Sequence, residues 1–191
     1  MLTGQSQIAS VAVFCASSSG ERPELISLAR ELGEHLGSQN ITTIFGGSDA
    51  GLMGVVADAA LSQGGRVIGV YPENTFSRDV RHRGEIELRL VASMHERKSV
   101  MFDLADAAVA LPGGLGTLDE VVELLLWTQL GIHQLPLVLL DTATFWSKFI
   151  EFLDEAISYG LLSSEFQSSL ERVTDPSLVI EALNELMKRR S

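Results

Sequence analysis

Two stretches of the 191-residue sequence hold residue types whose spacing could support chemistry. One runs Pro112-Gly113-Gly114-Leu115-Gly116-Thr117-Leu118-Asp119-Glu120. Its small residues let backbone N–H groups approach a ligand closely, and a helix starting here would turn its N-terminus towards a phosphate. Glu120 admits two readings. Thr117-Leu118-Asp119-Glu120 is a capping-box pattern, in which Glu120 reaches back to the Thr117 amide and only caps the helix. Alternatively, a carboxylate in the first helical turn is stabilised as the anion by the helix dipole. Ionised, it suits bonding to sugar hydroxyls, activating water or stabilising a developing cation, and does not suit donating a proton at pH 7. The other stretch is Met94-His95-Glu96-Arg97-Lys98-Ser99-Val100-Met101. On a helix, Met94, Arg97 and Met101 share one face by i, i+3, i+7 spacing. A cation between two apolar neighbours either pairs with an acid or meets a phosphate or carboxylate fork to fork.

The elements that must position these residues alternate between strand and helix. Apolar strand-like runs occur at Val11–Phe14, Ile41–Phe45, Arg66–Tyr71, Ala107–Leu111 and Leu137–Leu140, with a further extended piece at Ile86–Val91. Helical spacing marks Pro23–Leu36, Leu52–Ser62, Met94–Leu104, Thr117–Leu130, Phe145–Ile157 and a last segment from about Ser177 to Met187. Ser93 and Glu96 form a capping box at the start of the third helix. Residues 72–85 have loop character. The alternation predicts an α/β fold with a mostly parallel sheet and helices on both faces, and the uniformly apolar strands agree with that burial. Small Gly-containing loops follow three strands, at Cys15–Gly20, Gly46–Gly51 and Pro112–Thr117. In a parallel sheet all three emerge at the carboxyl edge, where doubly wound folds bind ligands. None is GxGxxG or GxxxxGK[ST], which argues against a dinucleotide-dependent dehydrogenase and a P-loop NTPase. Length and the lack of repeats or linkers predict a single domain over residues 1–191, with its core at about 8–187.

Composition removes several other functions. The net charge of −11 argues against nucleic acid and against an anionic membrane surface. Charge is uneven, however. Residues 78–98 hold six of the 14 basic residues and four acids, leaving that segment net +2. An anionic small molecule would be drawn there, unless the segment is simply a salt-bridged connector. Cys15 is the single cysteine, so no internal disulfide can form and a cytoplasmic address is natural. His35, His82, His95 and His133 are far apart, so a metal site has no sequence support. No apolar run approaches a membrane span, and Met1–Ser10 lacks a signal peptide's basic start.

These motifs resemble those of the LOG ("Lonely Guy") family, the cytokinin riboside 5′-monophosphate phosphoribohydrolases. PGGxGTxxE is matched by 112–120 and MHxRKxxM by 94–101. Phe14-Cys15-Ala16-Ser17-Ser18, Gly51-Leu52-Met53-Gly54 and Gln129-Leu130-Gly131-Ile132-His133 are also typical, in the same order and spacing. The resemblance implies a Rossmann-like fold, a homodimer with the active site near the subunit interface, and no cofactor. It implies hydrolysis of the N-glycosidic bond of an adenosine 5′-monophosphate or its N6-modified cytokinin form, giving free base and ribose 5-phosphate. Such chains are also described as lysine decarboxylases, but nothing in this sequence indicates a pyridoxal phosphate site.

Position by position, the resemblance makes Arg97 and Glu120 the catalytic pair. It assigns substrate and phosphate contacts to Met94, Lys98, Gly113, Gly114, Leu115, Gly116, Thr117 and Asp119, and to Asp79, which stands where the family often has Glu. Departures from the family pattern include Ala16, the Gly46-Gly47-Ser48 run, Asp119 and Leu126. Those at 79, 119 and 126 bear on substrate preference. A competing reading is a carrier module that binds a nucleotide or cofactor and keeps the fold without catalysis, since fold alone does not imply function. Retention of both Arg97 and Glu120 separates the two, because a pure binder needs neither.

Overall fold

The computed structural model describes residues 8–73, 80–142 and 144–189. Its elements are β1 (Ser10–Phe14), α1 (Pro23–Ser38), β2 (Thr42–Phe45), α2 (Gly51–Ser62), β3 (Val67–Pro72), β4 (Glu87–Val91), α3 (Met94–Leu104), β5 (Ala107–Ala110), α4 (Leu115–Gln129), β6 (Leu137–Leu140), α5 (Ser147–Ser158), β7 (Leu170–Val173) and α6 (Val179–Lys188). The strands form one parallel sheet in the order β4-β3-β2-β1-β5-β6-β7. This is the expected α/β, Rossmann-like arrangement.

Side chains alternate across β1 and build two cores. Val11 and Val13 face one side, under Leu28, Leu32 and Leu36 of α1, Val56 and Ala60 of α2, and Leu183 and Leu186 of α6. Ala12 and Phe14 face the other, under Met101 and Phe102 of α3, Val121 and Leu124 of α4, and Leu153 of α5. Leu32 is fully buried, so truncating it to alanine would cost about 2–5 kcal/mol.

The chain leaves the central strands in opposite directions. After β1 it passes to α1 on one face, and after β5 it passes to α4 on the other. β1 and β5 are register neighbours, with Val13 opposite Val109. Their following loops therefore diverge and open a crevice at the carboxyl edge, which is the usual ligand position in such sheets.

Two strands sit at the edges and are far less apolar. In β4, Glu87 pairs with both Arg66 and Arg89, placing charge on an edge that would otherwise invite further strand pairing. β7 was not expected from the sequence. Its four residues, Leu170-Glu171-Arg172-Val173, lack an apolar run and, among the described residues, pair with β6 at the sheet edge. The final helix begins at Val179 rather than Ser177, because Asp175 caps a short 3-10 turn at Pro176–Leu178 through the Ser177 amide.

Candidate active site

The capping box at α3 forms, with one shift. Ser93 Oγ accepts from the Glu96 amide at 3.1 Å, while the Glu96 carboxylate takes the amide of Ala92 at 2.7 Å. This pins the first turn of α3 and turns Arg97 and Lys98 inwards, at 8% and 4% exposure. Met94 is half-buried and Met101 fully buried on the expected face.

α4 starts earlier than the sequence suggests. Its N-cap is Gly114, with no side-chain cap, and the Leu118 amide already donates to the Gly114 carbonyl. Thr117 is thus the third helical residue and Glu120 the sixth. The first-turn amides of Leu115, Gly116 and Thr117 face the crevice end of the helix, where unfilled donors favour an anion. Gly114, Leu115 and Gly116 are exposed, with Leu115 at 85%. Thr117 Oγ1 is buried with no hydrogen-bond partner among the described residues. A Cβ at Gly113 would lie 2.1 Å from that oxygen, so glycine is required where the loop crosses the threonine.

One turn further on, Glu120 Oε1 accepts from Arg97 Nη1 at 3.0 Å. Both side chains are almost fully buried. Arg97 Nε also donates to the Val70 carbonyl of β3 at 3.2 Å. The guanidinium lies against the Gly46 backbone, where a Cβ would come within 1.6 Å of Nη2. The pair therefore sits just past the end of β2 and against β3.

The environment corrects the expected state of Glu120. It is not a cap, and it lies beyond the first turn, where the helix dipole is weak. Burial raises its pKa to about 7, against the opposing pull of Arg97. Both protonation states are accessible near neutrality, so the carboxyl is not simply held as an anion. Cys15, at the end of β1, is buried beside the pair, and burial together with Glu120 pushes its thiol well above the usual range. It is a neutral thiol, not a nucleophile.

Lys98 is turned to the neighbouring carboxylates. Its Nζ lies 2.8 Å from Asp119 Oδ2 and 2.6 Å from Glu123 Oε2. Burial alone would depress its pKa; the hydrogen bonds to the two acids outweigh that and hold it above its ordinary value. The structure thus brings together Arg97, Lys98, Thr117, Asp119 and Glu120 with the Gly113–Gly116 loop. Asp79 lies outside the described residues. Among the described residues of the basic segment 78–98, Arg97 and Lys98 are buried and Arg89 pairs with Glu87. Gly46 and Glu123 belong to this cluster but were not singled out as site residues. The signal for the first was its place at the start of the Gly46–Gly51 loop at the carboxyl edge, and for the second the helical i+3 spacing from Glu120. Among the described residues, no group of three or more His, Cys, Asp or Glu could hold a metal ion, and no helix is long and apolar enough to cross a membrane.

Residues 53–183 match the family model described as "Possible lysine decarboxylase". A cytokinin riboside 5′-monophosphate phosphoribohydrolase of Arabidopsis thaliana is 35% identical over 97% of this chain and 87% of its own length. A second Arabidopsis protein of that name is 40% identical over 83% of this chain and 73% of its own. The chain belongs to the LOG family. Among solved structures, the LOG-family fold seen here is similar to a molybdenum cofactor binding protein from Rippkaea orientalis. That protein has a TM-score of 0.67 and 19% identity, covering 97% of this chain and 99% of that one. At that identity the likeness concerns the fold alone.

Proposed function

We propose that this LOG-family chain hydrolyses the N-glycosidic bond of adenosine 5′-monophosphate or its N6-modified cytokinin form, releasing free base and ribose 5-phosphate. The observation that carries this reading is the buried Arg97–Glu120 pair, one helical turn from the Thr117 hydroxyl, which has no partner among the described residues, at the open end of α4. Burying a charged pair is expensive and contributes little net stability, so its presence in a crevice argues for chemistry.

The 5′-phosphate docks on the amides of Gly114–Thr117, and Thr117 Oγ1 donates to it. Ionised Glu120 faces the ribose and stabilises positive charge as the C1′–N bond lengthens towards an oxocarbenium-like state. The bonding electron pair leaves with the base. Water adds to C1′, Glu120 takes its proton, and that proton ends on the departing base. Arg97 orients the nucleotide and holds Glu120 in place. Lys98 and Asp119 border the substrate, with Met94 on the same helix face as Arg97.

A second copy of the chain completes the site in this reading. Leu118, Val122, Leu126 and Leu130 form an exposed apolar stripe down α4, starting beside Leu115. Its Val122 and Leu126, with Phe152 of α5 and Tyr159 just after that helix, line an apolar groove of about 600 Å³. Such a face on a charged protein is suited to a homodimer. The chain works in this reading as one cytoplasmic domain without a cofactor. The carrier alternative has only likeness of fold behind it.

Incubation with AMP and with isopentenyladenosine 5′-monophosphate, followed by chromatography, tests the proposal. Free base should appear and should be lost at least a hundredfold in Glu120→Gln, as for other well-placed electrostatic groups. Both nucleotides surviving incubation with the native protein would sink it.

A further inference from the structure

His82 stands outside the proposed active site, yet its side chain is almost completely buried. It lies in the segment that follows residue 79 and crosses over the loop after β2. Two backbone hydrogen bonds, which together make an antiparallel bridge, tie the two together. The Asp49 amide donates to the Val80 carbonyl at 2.8 Å, the His82 amide donates to the Gly47 carbonyl at 2.9 Å, and Ser48 and Arg81 form an antiparallel bridge. The segment 80–82 is thus a strap lying across Gly47–Asp49.

The imidazole fastens this strap at both ring nitrogens. Nδ1 accepts from the Gly84 amide at 3.0 Å, which leaves the ring proton on Nε2. Nε2 donates to Asp58 Oδ1 of α2 at 3.1 Å, with Asp49 Oδ1 also facing it at 4.0 Å. The ring packs edge-on against Phe45, at 5.8 Å between centroids. Phe45 is the last residue of β2 and precedes Gly46, on which the Arg97 guanidinium rests. Gly47 in turn packs on β3, where a Cβ would lie 3.3 Å from the Val70 carbonyl carbon. That same carbonyl group accepts the Arg97 Nε–H.

We propose that His82, anchored to Asp58, is a positioning residue. It holds the 80–82 strap on the Gly46–Asp49 loop and thereby fixes the seat of Arg97. The inference rests on the phosphoribohydrolase reading for its kinetic consequence, but the seat itself is a geometric claim. The strap touches the end of β2, whereas the Gly113–Thr117 loop follows β5 on the far side of β1. Loosening the strap should therefore disturb Arg97 without disturbing phosphate binding. Catalytic groups displaced by about 1 Å lose up to a hundredfold in rate.

Asp58→Ala tests this at an exposed carboxylate, where folding is not at stake. Gly84→Ala is the second variant: its Cβ would lie 2.6 Å from His82 Cε1 and push the ring off its seat. Both should lower kcat by about tenfold or more, with KM for isopentenyladenosine 5′-monophosphate within about twofold of the native value. Asp58→Asn keeps an acceptor for Nε2–H and should restore kcat. In both disrupted variants the side-chain ¹⁵N–¹H resonance of Arg97 Nε should shift, and the Asp49 and His82 amides should exchange faster. Unchanged kcat in both variants would overturn the proposal. So would a joint loss of kcat, KM and melting temperature that Asp58→Asn fails to rescue. If the native protein hydrolyses neither nucleotide, the enzymatic reading falls, and the Arg97 resonance decides the seat by itself: an unmoved signal overturns it.

Discussion

Replacing Glu120 by glutamine should remove turnover and make the stability of the variant relative to the native protein rise with pH. Glu120 titrates near its ordinary 4.5 when unfolded and at about 7 when folded, because burial penalises the charged form more than Arg97 favours it. The folded state therefore binds the Glu120 proton more tightly than the unfolded state. Its stabilising contribution is fully present below 4.5 and is lost as pH rises through about 7. The whole shift corresponds to about 3 kcal/mol, of which about 2 kcal/mol falls between about pH 5.5 and pH 8.5. Urea unfolding of the native protein and the variant across that range measures it. The difference between the two curves cancels the other carboxylates. Stability of Glu120→Gln relative to native should climb by about 2 kcal/mol from the acid to the alkaline end. A difference that stays flat would show that Glu120 titrates as an exposed carboxylate, and the argument from its burial would be refuted.

Three further outcomes follow from the same geometry. If the proposed mechanism holds, in which ionised Glu120 acts, kcat/KM of the native protein rises with pH through an apparent pKa of about 7; a pH–rate profile that falls through this region would reverse the assignment. Gly46→Ala places a Cβ 1.6 Å from Arg97 Nη2 and should cut kcat at least tenfold while the far-ultraviolet circular dichroism stays native. Thr117→Val removes a buried hydroxyl that has no partner among the described residues, so its melting temperature should hold or rise, while KM for the nucleotide rises about tenfold; an unchanged KM would separate Thr117 from the phosphate.

The legible part of the fold was the part with strong periodicity. The buried strands β1, β3, β5 and β6 read as unbroken apolar runs because both of their faces are covered. β7 escaped because an edge strand of four residues, two of them charged, needs no such run. The start of α4 was misplaced by two residues, because the Thr117–Glu120 spacing imitates a capping box. The carboxylate that would complete that box is bound to Arg97 instead.

Sequence by itself determined the order of elements and the small-residue loops at one edge of the sheet, and it singled out Arg97 and Glu120 as the candidate cation and acid. These are local properties, set by spacing, turn chemistry and residue type. Only the tertiary structure decided that Arg97 and Glu120, 23 residues apart, meet as one buried pair. It also decided that Gly46 forms the seat of that arginine, and that Lys98 is turned to Asp119 and Glu123. The protonation of Glu120 belongs to the same class. A pKa is fixed by desolvation and by charges a few ångströms away, and those atoms come from strands and helices that are distant along the chain.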